Sequence, residues 1–506
     1  MTFTSTILPL IQTAVVNETG VDYPIRLDIP NDPSHGDYAL TIAFSLAKQL
    51  KQSPQVIATT LATAITTNTP FEATAINGFI NIRIPLTHIL TYLESSLDTP
   101  PHLETSDRIL LEYVSANPTG PLHIGHGRWA VIGDCLYRLL TYLGVSVTRE
   151  CYVNDAGHQV TLFNESVDCV RKGIPIPENG YGGDFIPYLV DHCGPDQAPI
   201  DFVQAYQTET LHRMDCHFDG WFSETTLHKN GRILADIRDM FGDYVYEKDG
   251  AVWFKTTHFG DDKDRVLQKE NGDLTYFAAD TLYHIHKINR GYTHLINIWG
   301  ADHHGYIKRM ESVIKATQKP VKFQVILGQL VHLYKNGEPV KMSKRSGDLV
   351  ALRSVIDEIG SDALRYFMIE KKPELHMDFD LELAKQKTMA NPVYYIQYAH
   401  ARLCRIIERS EGMPGVTRDL NDGDRELALM GCRYHNQLVE AGASFNVHHI
   451  PSYLYALAKL CHTFYTNNPI IYDNAVHTER LHIIATTKRI LSHGLSLLGI
   501  SSPQKM

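Results

Sequence analysis

Arg108-Ile109-Leu110-Leu111-Glu112-Tyr113-Val114-Ser115-Ala116-Asn117-Pro118-Thr119-Gly120-Pro121-Leu122-His123-Ile124-Gly125-His126 opens as a strand and closes as a helix. Arg108 to Val114 is a short apolar run. Pro118-Thr119-Gly120-Pro121 then forces a loop, because proline lacks the ladder N–H and fixes its own φ. Beyond it Trp129, Ile132, Leu136, Leu139, Leu140 and Leu143 recur at helical spacing. Gly144 stands where a left-handed cap residue ends a helix, and Val145 to Val153 reads as the next strand. Strand, helix and strand in this order imply a parallel sheet with a right-handed crossover. His294 to Trp299, then Gly300-Ala301-Asp302, then a helix through Ile307, Met310 and Ile314 repeats the pattern. The central fold class is α/β, a Rossmann-like parallel sheet.

Working outward, residues 1–105 mix helical periodicity (Tyr38 to Leu50, then Pro54 to Thr66) with extended runs such as Phe79-Ile80-Asn81-Ile82-Arg83-Ile84. That zone reads as an α+β module closed by Asp98-Thr99-Pro100-Pro101. The α/β zone covers 106–385. Pro- and Gly-rich text from about 165 to 250 reads as an insertion between two halves of its sheet. Residues 386–506 read as an almost wholly helical bundle.

Composition sets outer limits. The chain has 506 residues, 43% hydrophobic, enough for several cores. A net charge of −10 confines any nucleic-acid contact to local basic patches. The eight cysteines include no Cys-x-x-Cys pair, which gives no zinc site and suits a reduced, cytoplasmic chain. The first basic residue is Arg26, so the apolar start lacks a signal peptide's charged flank, and no apolar run reaches membrane-spanning length. No membrane partner is expected.

Chemistry concentrates in two short segments. His123 and His126 open the helix, three residues apart and hence on one face, with Gly125 letting a ligand approach the backbone. Unpaired N–H groups and the positive end of the helix dipole collect there, which suits phosphate. Two histidines capping a helix would also explain the pair, but the strand–loop–helix context favours a nucleotide. The segment alone specifies nucleotidyl transfer and nothing finer. Lys341-Met342-Ser343-Lys344-Arg345 follows the turn Lys335-Asn336-Gly337-Glu338-Pro339. Two lysines on such a loop suit a triphosphate, and a solvated basic loop fits the letters equally well. Glu112 inside an apolar strand needs a cation. A substrate guanidinium or an internal arginine or lysine would serve. Tyr276 and Asp280, four residues apart in Thr275-Tyr276-Phe277-Ala278-Ala279-Asp280, add a ring and a second acid. Two acids and a ring suit a cationic substrate.

Ser115-Ala116-Asn117-Pro118-Thr119-Gly120-Pro121-Leu122-His123-Ile124-Gly125-His126 resembles the first-motif region of bacterial-type arginyl-tRNA synthetases, a family of class I aminoacyl-tRNA synthetases. Asp261-Asp262-Lys263-Asp264-Arg265-Val266-Leu267, Trp299-Gly300-Ala301-Asp302-His303-His304-Gly305-Tyr306 and Asn391-Pro392-Val393-Tyr394-Tyr395-Ile396-Gln397-Tyr398 are similar to further stretches of it, in the family's order. Ser34-His35-Gly36-Asp37-Tyr38-Ala39-Leu40 matches its extra N-terminal domain. The second segment departs from the class pattern, with Arg345 where serine is usual.

The resemblance implies a class I synthetase core with an N-terminal tRNA-contacting domain and a C-terminal anticodon-binding bundle. The substrates it implies are L-arginine, ATP with its Mg²⁺, and tRNA(Arg), and the implied form is a monomer. It carries over Glu112, Ser115, Asn117, His126, Tyr276, Asp280, His303 and His304 as arginine contacts. Pro118, Gly120, His123, Gly125, His126, Gly300, Asp302, Lys341, Met342, Ser343 and Lys344 are carried over toward ATP, with His123, His126, Lys341 and Lys344 as the catalytic set. Tyr394, Tyr398 and Arg402 are the candidate RNA contacts, since aromatics interleaved with arginine can stack on unpaired bases. Ordinary helix packing also accounts for such tyrosines.

Two rivals frame this reading. A ligase acting on something other than tRNA would have little use for the helical tail. A non-catalytic paralogue would be expected to have lost His123, His126 or Lys344.

Overall fold

The computed structural model describes residues 1–229, 231–340 and 351–506. Its centre is a five-stranded parallel sheet whose strands lie side by side in the order Lys322–Gly328, His294–Gly300, Arg108–Glu112, Ser146–Val153 and Gly220–Ser223. The Ile124–Tyr142 helix crosses between the third and fourth of these, and the Ile307–Ala316 helix between the second and first. The chain fills one side of the Arg108–Glu112 strand and only later returns to fill the other. The strand order therefore reverses between Arg108–Glu112 and His294–Gly300, where Glu112 pairs in register with Asn297. A ligand crevice opens beyond the C-terminal ends of strands at such a reversal.

One strand lies where an insertion was expected. Gly220–Ser223 falls inside the 165–250 stretch, yet pairs in parallel register with Glu150 to Val153 as the sheet's edge. It is four residues long and only partly buried, so it lacks the continuous apolar run that marks an inner strand. Upstream of it the Pro/Gly-rich text carries helices His158–Arg171, Phe185–His192 and Pro199–His212. After it comes a small antiparallel sheet of Val245–Lys248, Ala251–Phe254 and Arg265–Gln268.

In the N-terminal part, Phe79–Arg83 pairs with both Tyr38–Leu40 and Glu72–Ile76. Asn77 (φ 51°) and Gly78 (φ 85°) make the tight hairpin turn, where both residues must be left-handed. The expected Tyr38–Leu50 helix starts only at Ile42, because Tyr38 and Leu40 point inward as strand residues opposite Ile82 and Ile80. The C-terminal part packs helices Pro392–Ser410, Asp422–Cys432, Tyr434–Ser444, His449–Asn467 and Thr478–Leu497, with three very short strands.

Buried charge joins these parts. Arg365 is fully buried, pairs with Asp134 of the Ile124–Tyr142 helix (2.5 Å), and donates to the backbone oxygens of Leu498 and Met214, each at 2.6 Å. Arg425 of the bundle pairs with Asp37 of the N-terminal part, and Arg433 donates to the Asp37 carbonyl at 2.7 Å. No helix among the described residues is long and apolar enough to cross a membrane.

Candidate active site

The Arg108–Glu112 strand ends in a strained turn. Val114 (φ 70°) and Ser115 (φ 41°) are both left-handed, a conformation costing of order 1–3 kcal/mol per residue and worst for a β-branched side chain. The strain is held from both sides. Ser115 donates from its hydroxyl to Glu112 Oε1 (2.9 Å) and accepts from the Tyr152 N–H (3.2 Å). Gln207 then donates to the carbonyls of Asn117 (3.0 Å) and Gly120 (2.8 Å), while the Asn117 amide donates to Gln159 (2.8 Å). Ala116, Pro118 and Leu122 are buried along this path, whereas Asn117 is exposed.

The loop delivers a self-capped helix. The Gly125 N–H donates to His123 Nδ1 (3.1 Å) and the His123 N–H to His126 Nδ1 (3.2 Å), a reciprocal capping box. The two rings stack with centroids 3.7 Å apart, over Trp129. A side chain at Gly125 would press on the His123 ring, its Cβ only 3.0 Å from Cε1. The capping that the pair also allowed is thus present. Each Nδ1 accepts from backbone, which leaves the ring proton of a neutral imidazole on Nε2. His123 also forms a β-bridge with Ala351, and Leu352 donates to the Leu122 carbonyl at 2.7 Å. Ala351 and Leu352 thus lie against the first segment. Lys341, Met342, Ser343 and Lys344 themselves fall outside the described residues.

Carboxylates gather at the same end of the sheet. Glu112 is buried, Asp280 is half-buried, and Glu224, one residue past the edge strand, is only 6% exposed. Burial pushes the Asp280 carboxyl from its ordinary 3.8 up to about 7, against the opposing hydrogen bond from Tyr306 Oη (2.6 Å) and with reinforcement from Glu112 and Glu224. Asp155 clamps both flanks of Glu224, accepting from Ser223 Oγ (2.5 Å) and from Thr225 N and Oγ1 (2.9 Å each). Glu112 forms an ion pair with Lys287, which is fully buried on the Tyr276–Asn289 helix and also donates to Asn297 Oδ1 (3.2 Å). The cation that Glu112 requires thus comes from the chain itself, the internal partner its position allowed.

Three residues missed in the sequence belong here. Lys287 and Asp280 share a helical face with His284, at positions 280, 284 and 287, so the spacing could have flagged the lysine. Tyr306 closes a stretch already singled out. Glu224 becomes visible only once the edge strand is seen.

Other carried-over residues scatter. Tyr276 opens the Asp280 helix but is 68% exposed, so it stands at the rim of a cleft of about 470 Å³ with Trp253, Phe277, Tyr306 and Arg309 and does not wall Asp280 in. Gly300 ends its strand where a Cβ would lie 2.5 Å from Asp302 Oδ1 and 3.1 Å from Trp129. Asp302, His303 and His304 sit exposed on the Ala301–Tyr306 turn, with His303 Nε2 3.7 Å from Asp302. In the bundle, Tyr394 and Tyr398 stack at 6.1 Å, and the Arg402 guanidinium lies 3.8 Å from the Tyr465 ring centre. Tyr398, Arg402, Arg405, Arg409, Tyr465 and Lys505 line a cleft of about 680 Å³. Tyr395 packs on Tyr455 and His462. Among the described residues no three His, Cys, Asp or Glu side chains are placed to hold a metal ion.

A parallel sheet whose strand order reverses beside Arg108–Glu112, a histidine-capped helix directly after that strand and a helical tail make up the architecture of a class I aminoacyl-tRNA synthetase. The family model for the class I (R) catalytic domain matches residues 88–169, the arginyl-tRNA synthetase N-terminal domain residues 5–84, and the DALR anticodon-binding domain residues 396–506. The arginine–tRNA ligase of Desulfitobacterium hafniense is 38% identical over 95% of this chain and 93% of its own length. That of Desulfovibrio desulfuricans is 38% identical over 97% and 98%. The solved arginyl-tRNA synthetase of Thermus thermophilus, 22% identical, shares the fold with a TM-score of 0.78 over 99% of this chain and all of that one. This chain belongs to the arginyl-tRNA synthetase family.

Proposed function

We propose that the chain activates L-arginine with ATP and transfers it to the 3′ end of tRNA(Arg), and that Asp280 and Glu224 grip the guanidinium in the pocket Glu112 helps to build. The observation carrying this reading is the group of three carboxylates, Glu112 and Glu224 buried and Asp280 half-buried, with one internal lysine on Glu112, beside a histidine-capped helix. Buried acids in excess of their internal cations favour a cationic ligand, and a planar guanidinium can meet two carboxylates at once.

In the first step an arginine carboxylate oxygen attacks the α-phosphorus in line, and the bond to the β-phosphate breaks to release pyrophosphate. In the second a terminal ribose hydroxyl of the tRNA attacks the carbonyl carbon and AMP leaves. His123 and His126 would donate from Nε2 to phosphate oxygens as charge moves, each worth about 3–4 kcal/mol in the transition state. Pro118, Gly120, Gly125 and Gly300 would leave room for the nucleotide, with Asp302 on the ribose. Lys341 and Lys344 would neutralise the departing pyrophosphate together with Mg²⁺ carried on ATP. Asn117, Ser115, Tyr276, His303 and His304 would order the amino acid's polar end and the rim. Tyr394, Tyr398 and Arg402 would meet unpaired anticodon bases, and the 1–105 domain the outer part of the tRNA.

Attachment of labelled arginine to total tRNA, run beside lysine, glutamate and cysteine, tests this directly. Charging of arginine alone, and only with ATP, is expected. Charging of lysine in preference would overturn the assignment of the pocket.

A further inference from the structure

Glu112 stands at the end of the central strand, where a substrate-gripping acid belongs, yet both its oxygens are already engaged. Oε2 is paired with Lys287 and Oε1 accepts from Ser115 Oγ. Lys287 is itself locked. It is fully buried, it donates to Asn297 Oδ1, and its ammonium lies 4.3 Å from the Tyr283 ring centre. Asn297 is held in turn by the His284 ring at 3.1 Å. The chain of contacts runs from the helix carrying Asp280, through Lys287 and Glu112, to Ser115 in the left-handed turn. Every link is a directed contact between buried or partly buried groups. The turn it ends on sets the direction of the segment leading to His123 and His126.

We infer that Lys287 is a positioning residue for the activation step: by turning Glu112 onto Ser115 it holds the left-handed Val114–Ser115 turn that aims the Pro118–His126 segment at the nucleotide. Glu112 then acts on the loop, and the guanidinium grip rests with Asp280 and Glu224. This rests on the reading that His123 and His126 meet ATP. Two features distinguish such a lock from ordinary core packing. It joins the helix bearing the amino-acid-side acid to the loop bearing the nucleotide-side histidines. It also bears on a turn that is strained without it, since a β-branched residue holds φ near +70° only when its surroundings fix it.

The test uses the full-length protein with its tRNA and measures kcat and both KM values in arginylation for Lys287→Met, Lys287→Arg and the double variant Glu112→Gln/Lys287→Met. Lys287→Met alone strands a buried carboxylate and is expected to lower the melting temperature. The double variant removes both charges and should fold. Loss of the loop's aim should lower its kcat about 100-fold and raise KM for ATP severalfold, with KM for arginine within about threefold. Lys287→Arg, which keeps a buried cation at Glu112, should recover part of kcat. A large rise in KM for arginine at unchanged kcat would overturn the inference and make Glu112 a guanidinium ligand. A lowered melting temperature with all kinetic constants unchanged would reduce Lys287 to a structural residue. His126→Ala is assayed alongside. Full activity there would show that the nucleotide reading has failed, and the inference would fall with it.

Discussion

Two charge clusters in this molecule are built on opposite arithmetic. Around Asp134, which is wholly buried, Arg138 binds at 2.7 Å and Arg365 at 2.5 Å, with Arg149 3.8 Å away. Three guanidinium groups face one carboxylate there, and Asp215 and Asp219 take up the outward sides of Arg138 and Arg149. Around Asp280 the ratio is inverted. Lys287 pairs with Glu112, the Tyr306 hydroxyl donates to Asp280, and at the rim His228 lies 3.3 Å from Glu224. The first cluster is closed and serves as a joint between helices. The second has acid to spare, and an acid excess inside a fold is tolerable when a cationic ligand completes it. Burial alone does not separate the two; the balance of partners does.

The sharpest way to break this contrast is Asp280→Asn, which keeps the shape and removes the charge. We expect kcat/KM for arginine to fall by about 100- to 1000-fold, as for loss of a buried charged partner, with KM for ATP nearly unchanged. Steady-state arginylation against both substrates checks it. His126→Ala should lower kcat by about 100-fold or somewhat more, in line with loss of one preorganised donor, and leave the tRNA dissociation constant within about twofold. Filter binding beside single-turnover charging separates the two effects.

The closed cluster should behave otherwise. Arg365→Leu leaves Asp134 short of a buried partner and is expected to destabilise by about 3–5 kcal/mol, seen as a lower urea midpoint, while KM for arginine in the folded protein stays the same. An altered KM there would mean that the two clusters are one functional unit.

The smallest effect is the pH dependence of the open cluster. Asp280 has its folded-state value raised from 3.8 to about 7, chiefly by burial, so the empty folded protein binds more protons than the unfolded chain between those values. Its contribution to stability is therefore fully present below about pH 4 and is lost as pH rises through about 7. A guanidinium favours the ionised form and reverses the preference. KM for arginine should be about tenfold higher at pH 6 than at pH 8, and the thermal shift produced by arginine should grow over the same range. Asp280→Asn should flatten both profiles.

Legibility followed the range of the interactions concerned. The strand, the proline-bounded loop and the capped helix from Arg108 to Tyr142 stand in one continuous stretch, and each boundary has its own local cause, so sequence periodicity and turn residues specify them. The Gly220–Ser223 strand has no such pattern. It is a strand because Glu150 to Val153 offers it a ladder, and Glu224 was invisible for the same reason. Tyr276 shows the converse error: spacing of four places it above Asp280 on a helix, but at the helix's first residue the ring turns out to solvent. Spacing could flag Lys287 beside Asp280 but not its pairing with Glu112, since the two lie 175 residues apart and meet only through packing of a helix on the sheet.

By itself the sequence determined the α/β core, the helical tail, the histidine-capped helix and the family, because propensity, turn chemistry and motif spacing act over a few neighbouring residues. Only the tertiary structure decided which acids meet, which are already neutralised from within, and where the loop between strand and helix points. Those outcomes depend on distance and desolvation between segments far apart in the chain, and neither quantity is written in the order of the residues.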